Sequence, residues 1–254
     1  MKQDGEKKEV IGVIPARYSS TRLAGKPLAD ICGKPMIQHV WERARQSRFL
    51  DDLIIACDDE RIMERCREFG ANVVMTAKGH ICGSDRIAEV VNPLDDAKIV
   101  LNIQGDEPLI EPIMIDTVAS ALINDKSVYM ATLMTRIKDQ ATLADPHVVK
   151  VVVDKNGFAL YFSRSPIPYR AANSEVQEPA YFKHIGLYGY TKDFLFTFKK
   201  MAVSNLERIE KLEQLRVLEE GYKIKVLETK YDTIGVDTPE DLEHVKQFLA
   251  KESS

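Results

Sequence analysis

The chain has 254 residues, 44% hydrophobic and 29% charged, and a length that buries roughly 70% of the unfolded surface without a disulfide staple. A net charge of −4 and a pI of about 5.8 argue against a nucleic-acid-binding surface. No apolar run approaches the ~20 residues of a membrane span, and the charged start MKQDGEKKE lacks the apolar stretch of a secretory signal and reads as a frayed lead-in; the expectation is a cytoplasmic protein acting on a small molecule, with no nucleic acid and no membrane as partner.

Residues 10–14 form an apolar run closed by Pro15, which suits a buried parallel strand. Pro35 then opens a helix with Met36, Ile37, Val40, Trp41 and Ala44 on one face. Residues 53–57 are the next strand, and a helix from about Glu60 is stopped by Gly70. Residues 72–76 read as a third strand. Ser84 or Asp85 is expected to cap a helix reaching about Val91. A strand at 99–103 and a helix from Pro112 to near Asn124 follow. This alternation predicts an α/β fold with a doubly wound, mostly parallel sheet. Cys57 and Cys66 lie in apolar patterns and read as reduced core residues; with Cys32 and Cys82 they form no C-x-x-C pair, so zinc and thioredoxin-like readings are weak.

From Val128 the pattern changes. Residues 128–137 and 148–153 read as strands, Asp154-Lys155-Asn156-Gly157 as a hairpin turn, and 158–163 as its return. Residues 166–179 show no periodicity, and 182–190 alternate in part. A smaller antiparallel insertion is therefore expected over 128–190, set against an α/β core made of 1–127 and 191–254. One helix is predicted over 206–219, where Leu206, Ile209, Leu212, Leu215 and Leu218 recur every three residues. After a strand at 223–227, Thr238 caps a last helix, with Pro239 first in it and Asp241 three residues beyond the cap.

The segment IPARYSSTRLAGKP at 14–27 follows the first strand directly. It holds Arg17, Arg22 and Lys26, the hydroxyls of Ser19, Ser20 and Thr21, and Gly25. A triphosphate needs its charge neutralised by many donors at once. Arginine supplies forked donors, lysine a mobile point charge, and loop amides can form an anion-binding nest. Open α/β sheets bind ligands at the carboxyl ends of their strands. The loop is neither a P-loop nor a dinucleotide fingerprint, and its charges alone fit a solvated basic loop as well.

Two carboxylates invite a metal. Asp106, in Gln-Gly-Asp-Glu-Pro, follows a buried strand, and magnesium takes one or two carboxylates together with phosphate oxygens and waters. Asp106 equally suits a Gly–Pro turn. Asp237 lies just before the last helix, where a turn carboxylate also favours the helix dipole by ~0.3–1 kcal/mol. The pair gains meaning only where the fold brings positions 106 and 237 together.

Read together, these segments resemble the 3-deoxy-D-manno-octulosonate (Kdo) cytidylyltransferases, or CMP-Kdo synthetases. The matching blocks run in order from VIPARYSSTRLAGKP through MATL, ALYFSRSPIP and KHIGLYGY to EKLEQLRVLEEG and GVDTPEDLE. The resemblance implies a nucleotidyltransferase fold, a homodimer, Mg²⁺ as cofactor, and CTP plus Kdo giving CMP-Kdo and pyrophosphate for lipopolysaccharide assembly. It implies a CTP site of Ala16, Arg17, Ser20, Arg22, Lys26, Ser84 and Gln104, with Arg17 and Lys26 on the phosphates. Asp106 and Asp237 would hold the metal. Gln104, Arg164, His184, Tyr188, Glu213 and Gln214 would form the sugar pocket, with Arg164 pairing the sugar carboxylate.

Cys82-Gly83-Ser84-Asp85-Arg86 departs from the family's Ser-Gly-Thr followed by an acid and Arg; the hydroxyl is kept at Ser84, and Cys82 has no assigned role. Three other readings share the pattern. One is an enzyme for 8-amino-8-deoxy-Kdo, whose turn tends to read Gln-Gly-Asp-Gln, so Glu107 favours Kdo. Another is a CMP-sialic acid synthetase, whose sugar-site blocks fit less well. The last is a non-catalytic nucleotide-binding module, which predicts loss of Asp106, Asp237 or Lys26, all present here.

Overall fold

The computed structural model describes residues 7–19, 25–80, 82–172, 174–175 and 180–252. Strand β1 (Val10–Ala16) is buried along its length apart from a half-buried Pro15. It runs past the proline that was expected to close it, because the ladder to its neighbour on one side ends at Val13, before the proline's missing amide matters. A tight 3-10 turn, Lys26–Leu28, leads to the small hairpin of β2 (Asp30–Ile31) and β3 (Lys34–Pro35). Helix α1 (Met36–Ala44) then buries the five residues its spacing predicts. β4 (Asp52–Cys57) is wholly buried, and α2 (Glu60–Glu68) starts on the Asp59 side chain, which accepts from the Arg61 amide.

β5 (Asn72–Met75), α3 (Gly83–Val91), β6 (Ile99–Asn102) and α4 (Pro112–Asn124) continue the alternation. The cap of α3 is Cys82, not Ser84 or Asp85; those two lie inside the first turn. The rest of the chain forms β7 (Met130–Arg136), α5 (Gln140–Ala144), β8 (Lys150–Val153), β9 (Ala159–Ser163) and β10 (Phe182–Thr191). α6 (Lys192–Lys200), α7 (Asn205–Glu210), α8 (Leu215–Glu219), β11 (Lys225–Glu228) and α9 (Pro239–Glu252) complete it.

The helix expected over 206–219 is thus two helices, broken at Lys211 in the left-handed region (φ 56°). A three-residue repeat advances only about 300° per step, so its stripe drifts off the buried face. Ile209 is accordingly 76% exposed, while Leu212 and Leu215 are buried. The break re-aims the chain toward the core.

Among the described residues one sheet contains nine strands, in the order β11-β7-β10-β6-β1-β4-β5, with β8 beside β10 and β9 beside β8. β1 is parallel to β4 and β6, β4 to β5, and β11 to β7. β10 runs antiparallel to both β6 and β7. The antiparallel strands expected in 128–190 are present, and Tyr188–Thr191 hydrogen-bond directly onto β6, so the ladder is continuous with the parallel half. Successive residues of β1 point to opposite faces. Ile14 joins Trp41, Leu53 and Met114 in one apolar layer, and Val13 joins Ile87, Phe162 and Leu215 in the other. Helices cover both layers, as a doubly wound sheet requires.

Candidate active site

The QGDEP turn leaves β6 and bends hard against the end of β1. A Cβ on Gly105 would sit 2.8 Å from the Pro15 carbonyl oxygen, so the approach requires glycine. On its far side, the Val236 amide donates to the Asp106 carbonyl at 2.9 Å. That backbone bond ties the segment before α9 to the turn and sets Asp237 beside Asp106. Lys26 closes the arrangement: its Nζ donates to Asp106 Oδ2 at 2.6 Å and to Asp237 Oδ1 at 2.8 Å. The lysine side chain is 12% exposed, whereas the two carboxylates are 37% and 48% exposed. Positions 106 and 237 therefore meet, around a single cation.

The Asp237 loop is itself braced. The Asp241 carboxylate accepts from the Asp237 amide (3.0 Å) and the Thr238 amide (2.9 Å), and the Asp241 amide donates to the Thr238 hydroxyl (3.2 Å). This is the capping box the sequence predicts. Burial pushes the Asp241 carboxyl up, but the Asp237 amide and the Thr238 hydroxyl and amide together hold it below the usual carboxylate range.

Both ends of the basic loop are pinned. The Tyr18 amide donates to Asp58 Oδ1 at 2.9 Å, and Asp58 Oδ2 pairs with buried Arg86 at 2.9 Å. Arg86 also donates to the Thr76 hydroxyl. At the other end, the Gly25 amide donates to the Tyr18 carbonyl at 3.2 Å, with Gly25 at φ 67°. Ala16 is buried at the end of β1, and Arg17 is exposed beside it. Ser20, Thr21 and Arg22 lie outside the described residues.

Ser84 lies in the first turn of α3, next to Gly83, where an added Cβ would meet the Pro15 ring at 3.5 Å. Its Oγ lies 2.9 Å from Cys82 Sγ and donates to Glu213 Oε2 at 3.3 Å. Burial pushes the Cys82 thiol above its ordinary pKa, and the thiol donates to Asp85 Oδ2 at 3.3 Å. Cys82 is thus a protonated neighbour of Ser84, not an activated thiolate.

Gln104 and Glu107 meet β10 where its register shifts. Gln104 Nε2 donates to the Gly186 carbonyl at 3.0 Å, inside the irregularity between Ile185 and Tyr188. Glu107 is buried behind it. Burial, and then the charge of Asp106, push its carboxyl up to about 8, and Oε2 has no hydrogen-bond partner among the described residues.

His184 and Tyr188 have ring centroids 5.4 Å apart. His184 is buried edge-on to Phe162, and its Nε2 lies 2.9 Å from Thr132 Oγ1. The Thr132 hydroxyl has one proton and also faces the carbonyls of Ile185 and Leu187 at 3.0 and 2.9 Å. Carbonyls only accept, so Thr132 donates to them and accepts from His184 Nε2–H. Burial drives the His184 pKa down to about 3, which keeps the ring neutral at neutral pH. Burial likewise raises the Tyr188 phenol well above its ordinary value.

Arg164 stands at the end of β9. Its Nε donates to the Glu210 carbonyl (2.8 Å), one terminal nitrogen to the Pro146 carbonyl (3.0 Å), and its amide to Glu210 Oε2 (3.0 Å). The break at Lys211 allows one short segment to hold Arg164 through Glu210 and to reach Ser84 through Glu213. Gln214 follows, buried at the start of α8. Asp58 and Arg86 were missed as loop anchors in the sequence reading, although Asp58 stands at the carboxyl end of β4, the position where open α/β sheets carry ligand-site residues.

A hard divalent cation fits the Asp106–Asp237 pair. The two carboxylates meet on one side of a single ammonium, they are 37% and 48% exposed, and no group of three His, Cys, Asp or Glu forms a closed metal cage among the described residues. Such a pair suits an ion that takes its remaining oxygens from phosphate and water.

Residues 11–224 match the family model described as Cytidylyltransferase. A protein of Solibacter usitatus named 3-deoxy-manno-octulosonate cytidylyltransferase is 52% identical over 242 residues, 95% of each chain. One of the same name from Geotalea uraniireducens is 52% identical over 251 residues, covering 96% of this chain and all of the relative. A solved structure of CMP:2-keto-3-deoxy-manno-octonic acid synthetase complexed with CTP superposes with a TM-score of 0.90 at 43% identity, over 96% of this chain and 99% of that one. A 4-diphosphocytidyl-2C-methyl-D-erythritol synthase from Anaerococcus prevotii, at 15% identity and a TM-score of 0.65, shares the fold. With matches that span nearly the whole of both partners, the chain belongs to the cytidylyltransferase family, among the 3-deoxy-manno-octulosonate cytidylyltransferases.

Proposed function

We propose that this protein transfers CMP from CTP to the anomeric hydroxyl of Kdo and releases pyrophosphate. The observation that carries the reading is the Lys26 node, which gathers Asp106 and Asp237 beyond the carboxyl ends of the central strands β1 and β6. In-line attack of a hydroxyl on the α-phosphorus is mostly positioning and charge stabilisation. Arg17 and Lys26 bind the phosphates and stabilise charge on the leaving pyrophosphate. Ala16, Ser20, Arg22, Ser84 and Gln104 line the rest of the nucleotide site. Asp106 and Asp237 would hold Mg²⁺, and the ion would supply charge neutralisation at the phosphates and a lowered pKa for the attacking hydroxyl.

The sugar side is assigned to Gln104, Arg164, His184, Tyr188, Glu213 and Gln214. Arg164 takes the carboxylate: its side-chain anchors are neutral carbonyls, so its charge is kept for the ligand. His184 is neutral and committed to Thr132, so it shapes the wall without supplying charge. No side chain is assigned as general base. The nucleotide site draws on 1–127 and 191–254, and 128–190 contributes sugar-binding residues and the surface of a homodimer. The product feeds lipopolysaccharide assembly, and the enzyme works in the cytoplasm. No helix of the described residues is long and apolar enough to cross a membrane.

Pyrophosphate release with CTP, Mg²⁺ and either Kdo or 8-amino-8-deoxy-Kdo tests the reading. Release with Kdo is expected. Release with the amino sugar alone would transfer the assignment to that substrate, and release with neither would overturn the enzyme reading.

A further inference from the structure

Lys150 is an anomaly in β8. Lysine on an alternating strand ordinarily faces water, yet this side chain is fully buried. Its partners are three backbone carbonyls: Asp145 at 2.9 Å, Val148 at 2.7 Å and Arg164 in close contact. An ammonium has three donors at one point, so it is the side chain that can satisfy three carbonyls converging there. Burial works against this charge and pushes the ammonium below its ordinary pKa, with the Asp145 carboxylate opposing that shift. A buried charge is costly to keep, so the convergence it maintains calls for a purpose.

The three carbonyls belong to two segments that also grip Arg164. Two of them flank Pro146, whose own carbonyl accepts from the Arg164 guanidinium at 3.0 Å. The third is the carbonyl of Arg164 itself. Lys150 therefore sets both the backbone from which the guanidinium extends and the turn that holds one of its terminal nitrogens. Glu210 sets the remaining contacts, at Nε and the main-chain amide.

We propose that Lys150 is a positioning residue for sugar recognition: by gathering the carbonyls of Asp145, Val148 and Arg164 on one ammonium, it fixes the Arg164 guanidinium where the sugar carboxylate is read. The inference rests on the assignment of Arg164 to that carboxylate. It acts through Arg164 and not through the nucleotide, so its loss should separate the two Michaelis constants.

The test measures KM for Kdo and for CTP in Lys150→Met, Arg164→Met and the double variant, with a denaturation curve for each. Lys150→Met should raise KM for Kdo by about tenfold or more and change KM for CTP by less than about twofold. In the Arg164→Met background it should add less than about twofold, because its route of action is gone. A merely structural lysine would weaken both substrates and add its effect in either background, and that result would overturn the proposal.

Should Lys150→Met not fold, Lys150→Arg keeps the charge but spreads its donors over a planar fork that cannot converge on one point. It should then raise KM for Kdo selectively, and an unchanged value would equally overturn the proposal. If Arg164→Met leaves KM for Kdo unchanged, the assignment of Arg164 fails. If Arg164→Met raises it and Lys150→Met does not, the role of Lys150 alone fails.

Discussion

Asp106 and Asp237 share one cation: the Lys26 ammonium lies 2.6 Å from an oxygen of the first and 2.8 Å from an oxygen of the second. Their segments are joined by the bond from the Val236 amide to the Asp106 carbonyl, so neither carboxylate depends on the other for its place. Asp237→Asn should therefore leave the fold intact, because the side chain is 48% exposed and Lys26 keeps its bond to Asp106. Turnover with CTP and Kdo should fall by about 10²-fold or more. Unchanged turnover would make Asp237 a turn residue and remove it from the metal site.

Gly105 offers a second handle on the same turn. A Cβ there would meet the Pro15 backbone oxygen at 2.8 Å, and backbone cannot move aside as a side-chain tip can. Gly105→Ala should displace the QGDEP turn from β1, lower stability by about 1–3 kcal/mol, and reduce turnover with it. Urea denaturation and pyrophosphate release check the two effects; full stability and full turnover together would show that the turn has slack.

The buried Arg86–Asp58 pair holds the entry of the basic loop through the Tyr18 amide. Asp58→Ala strands Arg86 without its carboxylate and should cost about 3–5 kcal/mol. Asp58→Asn keeps an acceptor for Tyr18 and should cost less, while KM for CTP rises in both. Equal stability in the two variants would show that the pair is not the source of the effect.

His184 gives a pH signature. Its folded pKa, about 3, lies below the ordinary 6.5, so below pH 6.5 the unfolded chain binds the proton and the folded chain does not. This contribution to stability is present above pH 6.5 and is lost as the pH falls toward 3, with a slope of about 1.4 kcal/mol per pH unit. Replacing the ring by His184→Gln should flatten the stability profile of the variant over that window relative to the parent. Parallel profiles would show that His184 is protonated in the fold.

The parallel half of the sheet was legible because its strands are short apolar runs separated by amphipathic helices with clear stops, as at Gly70. The helix α6 was not predicted, although Thr191 caps it and Phe194, Leu195 and Phe198 form its buried face. The break at Lys211 was hidden by a leucine repeat that looks helical in one dimension, while the contacts that use the break lie on β9 and α3. Asp106 and Asp237 were visible as candidates, yet their meeting depends on a backbone bond between distant segments. Lys150 was invisible for a similar reason: its environment is set by carbonyls of two loops, which leave no trace in side-chain pattern.

CMP transfer to Kdo is decided by incubating the folded protein with CTP, Kdo and Mg²⁺ and analysing the products by mass spectrometry. CMP-Kdo and pyrophosphate should appear in equal amounts. Pyrophosphate without a CMP-sugar, or CTP recovered unchanged, would contradict it.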